Sequence, residues 1–264
     1  MLTDTHCHLA SRKFAGDLEE VLKRASLRGV SRLVAIGTDL QDGPAVVQLA
    51  SCHPGTVFAT VGIHPGSVTE IDLQSAWLDR IAELAEAPQV CAIGEIGLDF
   101  FHPPPEGWSR EDHRAAQREV FRLQLELAAN RGFNVVVHQR NSWDETHALV
   151  REFDGRLRAV FHCFTETAIE ADAVFTAGHL VSFTGMTTFR SNAGLLALAG
   201  SRPAGSYMVE TDAPYLAPEP YRGKRCEPAF VRETAEAIAA ARNETLEQVA
   251  EETTRTAEDF FRFG

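Results

Sequence analysis

Eight short apolar, β-branched runs recur along the chain, and stretches of helical periodicity lie between them. The runs are LTDTHCHL (2–9), RLVAIGT (32–38), VFATVGIH (57–64), VCAIGEIGLD (90–99), NVVVHQ (134–139), RAVFHCF (158–164), HLVSFTG (179–185) and SYMVETD (206–212). Eight strands alternating with helices is the count that closes a parallel (β/α)8 barrel, the TIM barrel, with all strand C-termini on one face. An open doubly wound sheet is the competing arrangement. No GxGxxG or GxxxxGK[ST] turn follows any run, which favours the barrel. A single α/β barrel domain over residues 1–264 is therefore expected, since one such barrel fills about this length.

The helical stretches carry their own punctuation. Leu18, Val21, Leu22 and Ala25 form one apolar stripe, with Gly29 placed to stop it, and Leu73, Ala76, Trp77, Ile81 and Leu84 form another. A long helix is expected from Ser109 to Arg131, where Ser109 and Asp112 have capping-box spacing with Asp in the Glu/Gln place. The last helix opens with Thr245 and Gln248 and is expected to reach Phe263. Pro103, Pro104 and Pro105 cannot join a sheet ladder and belong to a loop after the fourth strand. That loop and the Pro-rich 214–220 segment are expected to wall the mouth of the barrel.

Five cysteines at wide spacing, with no CxxC pair, fit reduced thiols rather than a disulfide framework or a zinc knuckle. No run approaches the roughly 20 apolar residues of a membrane span, and MLTDTHCHLA shows no basic region followed by an apolar stretch, so no secretory signal is expected. A cytoplasmic enzyme with no membrane partner is the expectation. The net charge of −12 argues against broad coating of nucleic acid, which relies on basic surface. A nucleic-acid end held at a metal site is compatible with it, because divalent ions bring their own positive charge.

The chemistry gathers at the run ends. Of ten histidines, His6, His8, His64, His138 and His162 fall there, together with Glu95, Asp99, Glu210 and Asp212. In a parallel barrel these ends share the face on which active sites are built. Imidazole and carboxylate are ligands that suit zinc, manganese and related ions. Period-two alternation turns His6 and His8 inward and Cys7 outward, and it separates His162 from Cys163, so neither cysteine is expected to bind metal. Asp4 and Glu210 share the inward parity one layer deeper. Being on neighbouring strands, they are expected to meet beneath the site and to orient ligand histidines or a bound water; capping of backbone is the alternative.

The pieces THCHL, GIHP, GEIGLDF, a strand ending in His138, FHCF, SFTG, ETDAPYLAP and RGKRCEP together resemble the TatD-type deoxyribonucleases, metal-dependent hydrolases of the amidohydrolase-like superfamily. The resemblance runs from Thr5 to the last helix. It implies two divalent ions (Mg, Mn or Zn): His6, His8, Glu95 and Asp212 around one, and Glu95, His138 and His162 around the other. Two positions depart from the family pattern, Cys226 and Thr256, each standing where the family has Asn. Some superfamily members bridge two metals with a carbamylated lysine. Here Lys13, Lys23 and Lys224 all lie off the strands, which leaves Glu95 as the bridge.

The resemblance further implies cleavage of phosphodiester bonds, as a 3′-to-5′ exodeoxyribonuclease on single-stranded DNA ends, with RNA a second candidate. Asp212 would orient the attacking water and take its proton, Glu95 would hold both ions, and His64 would contact a phosphate oxygen or cap the loop before Pro65. Arg140, Arg222 and Lys224, with Arg225, are the candidate substrate cations. Arg114, Arg118 and Arg122 read instead as a solvated helix face. Hydrolysis of another bond, an ester or a D-aminoacyl-tRNA linkage, is the alternative within the same site. A scaffold with purely stabilising metal is the alternative of another class. A structural site would close its coordination shell, whereas this one opens to the rim.

Overall fold

In the computed structural model, which describes residues 1–263, the runs form one eight-stranded sheet in the order β1 to β8, every neighbouring pair parallel. The strands are β1 Leu2–Cys7, β2 Val30–Ile36, β3 Val57–Val61, β4 Val90–Asp99, β5 Val135–Arg140, β6 Ala159–Phe161, β7 Leu180–Phe183 and β8 Tyr207–Val209. Helices α1 Leu18–Leu27, α2 Asp42–Cys52, α3 Trp77–Leu84, α4 Arg110–Arg131, α5 Trp143–Arg151, α6 Ala168–Thr176 and α7 Ala193–Ser201 fill the crossovers. Two helices, α8 Val231–Arg242 and α9 Leu246–Phe261, follow β8. The solvent-accessible surface, 11546 Å², matches the roughly 11,000 Å² that area scaling gives a folded chain of this mass.

The seam between β8 and β1 is closed by side chains and by chain just beyond β8. Thr5 Oγ1 donates to the Val209 carbonyl (3.0 Å), and Asp4 accepts from the Thr211 amide (2.9 Å) and hydroxyl (2.6 Å). Beyond them Cys7 pairs with Ala213, the Asp212 amide donates to the His6 carbonyl (2.9 Å), and the His8 amide donates to the Ala213 carbonyl (2.7 Å). The first and last site-bearing segments are thus fastened together at the rim.

Two apolar cores result. The larger packs helices against the outside of the barrel, and Cys7 lies in it, wholly buried. The smaller fills the barrel: Val34, Ile36, Ala92, Val136, Val160, Leu180 and Met208 pack on Ala257, Phe260 and Phe261 of α9. Two residues beyond these interior positions come His138, His162, Ser182 and Glu210, so one inward row passes from apolar to polar towards the rim.

Several boundaries differ from the sequence reading. The runs overshoot the ladders, leaving His8, His64, His162, Glu210 and Asp212 just past strand ends. The stripe beginning at Leu73 is helical only from Trp77, and α9 ends at Phe261, where Arg262 adopts φ 52°. Both anticipated caps form: Ser109 accepts from the Asp112 amide, and Thr245 and Gln248 make a full capping box. The arginine row of α4 is not simply solvated. Arg118 and Arg122 pair with Glu145 and Glu152, tying α4 to α5 and the residue after it, while Arg114 stacks on Phe100.

Candidate active site

Glu95 sits at the centre of the rim, 3% exposed, on an irregular stretch of β4 whose register against β5 shifts between Ile93 and Ile96. The glycines around it make this possible. A Cβ at Gly97, whose φ is +149°, would lie 1.9 Å from the His138 carbonyl oxygen, so only glycine lets β4 come this close to β5.

The two oxygens of Glu95 face different histidines. Oε1 lies 2.8 Å from His138 Nδ1, 2.8 Å from His162 Nε2 and 3.7 Å from His64 Nε2. Oε2 lies 3.5 Å from His6 Nε2 and 3.9 Å from His8 Nε2. Asp212 Oδ1 completes the second side, 3.2 Å from His8 Nε2 and 3.7 Å from His6 Nε2. Three groups in this cluster bring ligand atoms within 4.8 Å of one another: His6–His8–Asp212, His6–Glu95–His162 and His64–Glu95–His138.

The donor set fits metal. His6 is wholly buried, its ring stacked 4.0 Å from that of His162, and neither of its nitrogens has a hydrogen-bond partner. An unsatisfied buried polar group costs about 1–3 kcal/mol, and an ion beside Nε2 would remove that cost for this atom. The electrostatics point the same way. Burial opposes ionisation of Glu95, yet His162 above all, together with the hydrogen bond from His138, holds it well below the usual carboxylate range. Asp212 is lowered too, against burial, by His8 above all. His8 is raised despite its burial by the same Asp212 pair. Both carboxylates are therefore charged and ready to bind a cation. Among the described residues no lysine lies on a strand; Lys23 is on α1 and the other two are in loops.

A second layer of carboxylates lies behind the histidines. Asp99 Oδ2 lies 3.3 Å from His138 Nε2 and 2.7 Å from His102 Nδ1, while its Oδ1 accepts the amides of Phe101 and His102. One carboxylate thus both fixes the loop after β4 and turns His138 Nδ1 towards Glu95. Glu210 lies beside His162 without hydrogen-bonding its ring. It lies 3.5 Å from Nδ1 and accepts from the Cys163 amide and the Ser182 hydroxyl, each at 2.6 Å. Asp4 departs from the expectation. Its oxygens are taken up by Thr211 and the His6 amide, with no hydrogen bond to Glu210 or to a histidine ring, so it fastens the β1–β8 seam instead.

His64 does two things at once. Its Nδ1 accepts the Gly66 amide (2.9 Å), which caps the turn at Pro65. Burial, followed by the neighbouring His138, lowers its pKa to about 3, so the ring is neutral. With Nδ1 accepting, the proton resides on Nε2, which faces the cluster as a donor.

The cluster floors a cavity of about 1110 Å³ lined also by Arg12, Phe101, Arg140, Tyr215 and Leu216. Arg222 and Lys224 do not line it, contrary to the sequence reading. Arg222 stacks on Phe189 and Lys224 lies over Tyr221, both outside the mouth. Arg225 is consumed by Asp17 and Glu227. Pro103, Pro104 and Pro105 do not line the mouth either; Phe101 and His102 do. Cys163 reaches the cavity wall with its thiol towards Thr184 and Met186, away from the cluster. Cys226 is buried beneath the loop after β8, its amide donating to the Pro214 carbonyl.

The sequence reading missed Gln117 and Gln124, two turns apart on the buried face of α4. Gln124 bonds both the amide (2.7 Å) and carbonyl (3.1 Å) of Ile63, and Gln117 bonds the amide and carbonyl of Asp99. Two amides recurring seven residues apart on an apolar stripe were the available signal.

A (β/α)8 barrel with imidazoles and carboxylates converging at its C-terminal rim defines a metal-dependent hydrolase. Comparison with known proteins makes the assignment particular. The family described as TatD related DNase matches residues 3–262, and the chain belongs to that family. It is 34% identical over 265 residues to the metal-dependent hydrolase YabD of Bacillus subtilis, covering 100% of both chains. It is also 34% identical over 265 residues to the 3′-5′ ssDNA/RNA exonuclease TatD of Erwinia billingiae, covering 98% of each. The crystal structure of YJJV, a TatD homolog from Escherichia coli, shares the fold with a TM-score of 0.89 at 24% identity, over 100% of this chain and 98% of that one.

Proposed function

We propose that this enzyme trims single-stranded DNA or RNA from the 3′ end by hydrolysing the terminal phosphodiester at a site for two divalent ions. His6, His8, Glu95 and Asp212 would hold one ion, and Glu95, His138 and His162 the other. The observation that carries the reading is the split of Glu95, one oxygen towards His138 and His162 and the other towards His6 and His8. When bound, Mg²⁺, Mn²⁺ or Zn²⁺ would polarise the phosphoryl oxygen and make water a stronger acid.

The chain supplies the remainder. Asp212, charged well into the acid range, accepts the proton of the attacking water. His64 donates from Nε2 to a non-bridging phosphate oxygen as negative charge grows there. Asp99, bonded to His138 Nε2, keeps that ring in the tautomer that leaves Nδ1 free to ligate, and His162 turns its Nε2 towards Glu95. Arg140 and Arg12, on the cavity wall, neutralise neighbouring phosphates. With Arg222 and Lys224 outside, few cations reach the strand, and binding should depend only shallowly on salt. The relatives named as ssDNA/RNA exonucleases support nucleic acid over an ester or aminoacyl-tRNA substrate. Among the described residues no helix is long and apolar enough to cross a membrane.

The test is digestion of 5′-labelled single strands beside covalently closed circles, after chelation and again after adding Mn²⁺. Stepwise shortening of the linear strands that appears only with metal is expected. Full activity in the metal-free protein would overturn the metal site, and rapid nicking of the circles would overturn end trimming.

A further inference from the structure

Among the described residues four aromatic side chains are conspicuously exposed: Phe101, Trp108, Phe175 and Tyr215. Phe101 (51% exposed) and Tyr215 (50% exposed) both line the cavity over the histidine cluster. They stand on opposite flanks. Tyr215 follows β8, its ring edge-on to His8 at 6.0 Å. Phe101 follows β4 and lies against Arg140 of β5. In an eight-stranded barrel the β8–β1 seam and the β4–β5 pair face each other across the mouth.

Each ring is tied to the site and carries a cation. The Tyr215 amide donates to the Asp212 carbonyl (2.9 Å), and the Phe101 amide donates to the Asp99 carboxylate (2.9 Å). The Lys13 ammonium lies 4.7 Å from the Tyr215 ring centre, and the Arg140 guanidinium 4.0 Å from that of Phe101. A half-open ring beside a cation repeats the alternation of base and phosphate along a strand. Stacking on such rings is how sequence-tolerant proteins grip single-stranded nucleic acid.

We propose that Phe101 and Tyr215 are a nucleobase clamp: unstacked bases of the strand end lie on the two rings, while Arg140 and Lys13 meet the flanking phosphates. This rests on the nuclease reading and adds to it a requirement for bases. A paired duplex buries its base faces in its own stack, so the clamp selects single strands without reading sequence.

The experiment compares two 5′-labelled oligodeoxynucleotides in Mn²⁺, one of thymidines throughout and one with abasic tetrahydrofuran residues at its 3′ end. The unsubstituted enzyme should prefer the strand with bases. Phe101→Leu and Tyr215→Ala should each reduce that preference about tenfold, the scale of one lost base–aromatic stack. The loss should fall on KM rather than kcat. Tyr215→Phe should keep the preference, and Phe175→Ala, an exposed ring away from the cavity, should not alter it. Thermal unfolding of each variant confirms that it is folded. If the parent cleaves both strands equally, or both ring variants keep its preference, the clamp is wrong and the nuclease reading stands. If neither strand is cleaved with metal present, the nuclease reading fails and the clamp with it.

Discussion

At the scale of single residues, the site depends on two kinds of exactness, charge and backbone room. Asp212→Asn keeps the shape and one oxygen for a metal but cannot take a proton. It should lower turnover by roughly 10²–10⁴-fold, the range for a lost general base, while metal content measured by atomic spectroscopy stays close to the parent's. An unchanged rate would move the base elsewhere. Gly97 is the backbone counterpart. Its φ of +149° and a 1.9 Å approach to the His138 carbonyl oxygen leave no place for a methyl group. Gly97→Ala should cost about 3 kcal/mol or more, in the range of substitutions that force a special backbone position; urea unfolding would measure it. GEIG could be read in the sequence as a strand passing the rim. That its second glycine pays for contact with His138 could not, because the neighbour is more than forty residues away.

At the scale of elements, α4 is more than packing. Gln117 holds the end of β4 at Asp99, and Gln124 the backbone of Ile63 just before His64. Gln124→Leu would leave a buried amide and carbonyl of Ile63 unpaired, so a loss of about 1–3 kcal/mol is expected in denaturant unfolding. Activity should fall further than the fraction folded explains. Helix α1 is joined to the loop before α8 by Asp17, Arg24, Arg225 and Glu227. Arg225, and then Arg24, hold Asp17 down to about 2, below its ordinary 3.8. A lowered acid stabilises the fold fully above its unfolded pKa and loses that effect as pH falls through the folded one. The melting difference between the parent and Asp17→Asn should therefore be constant above pH 3.8 and shrink towards pH 2. A difference that persists at the acid end would exclude the charge pair as its cause. Arg225 was a substrate candidate on sequence alone; its acidic partners are more than two hundred residues upstream or on its own loop, and only the fold shows them closing on it.

For the whole molecule, the cluster ties β1, β4, β5 and β6 and the segment after β8 into one rim. Ions bound there should hold the barrel together as well as serve chemistry. At an ion concentration 100 times Kd, binding adds about 2.7 kcal/mol, which for a chain of this size is roughly 5–10 °C in melting temperature. Chelation should lower the transition by that amount in calorimetry, and Glu95→Gln should abolish most of the difference, since both halves of the cluster meet at this side chain. A melting temperature indifferent to chelator would show that the cluster holds no ion under those conditions.

The amino-acid sequence by itself determined the barrel and the convergence of His6, His8, Glu95, His138, His162 and Asp212. Strand periodicity is local: alternate residues share a face, and parallel strands of one barrel bring their ends to one rim. What lies past the strand ends escaped it. Once the chain leaves the ladder, parity no longer says where a side chain points; Asp212 and Cys163 already have φ of 60° and 47°. Only the tertiary structure decided that Asp99 bonds His138 and Glu210 lies beside His162 while Asp4 closes the seam. The same holds for Arg222 and Lys224 lying outside the mouth while Phe101 and Tyr215 flank it. These assignments depend on which distant segment fills the space beside each loop, and that is settled by packing across the whole barrel rather than by any neighbourhood in the sequence.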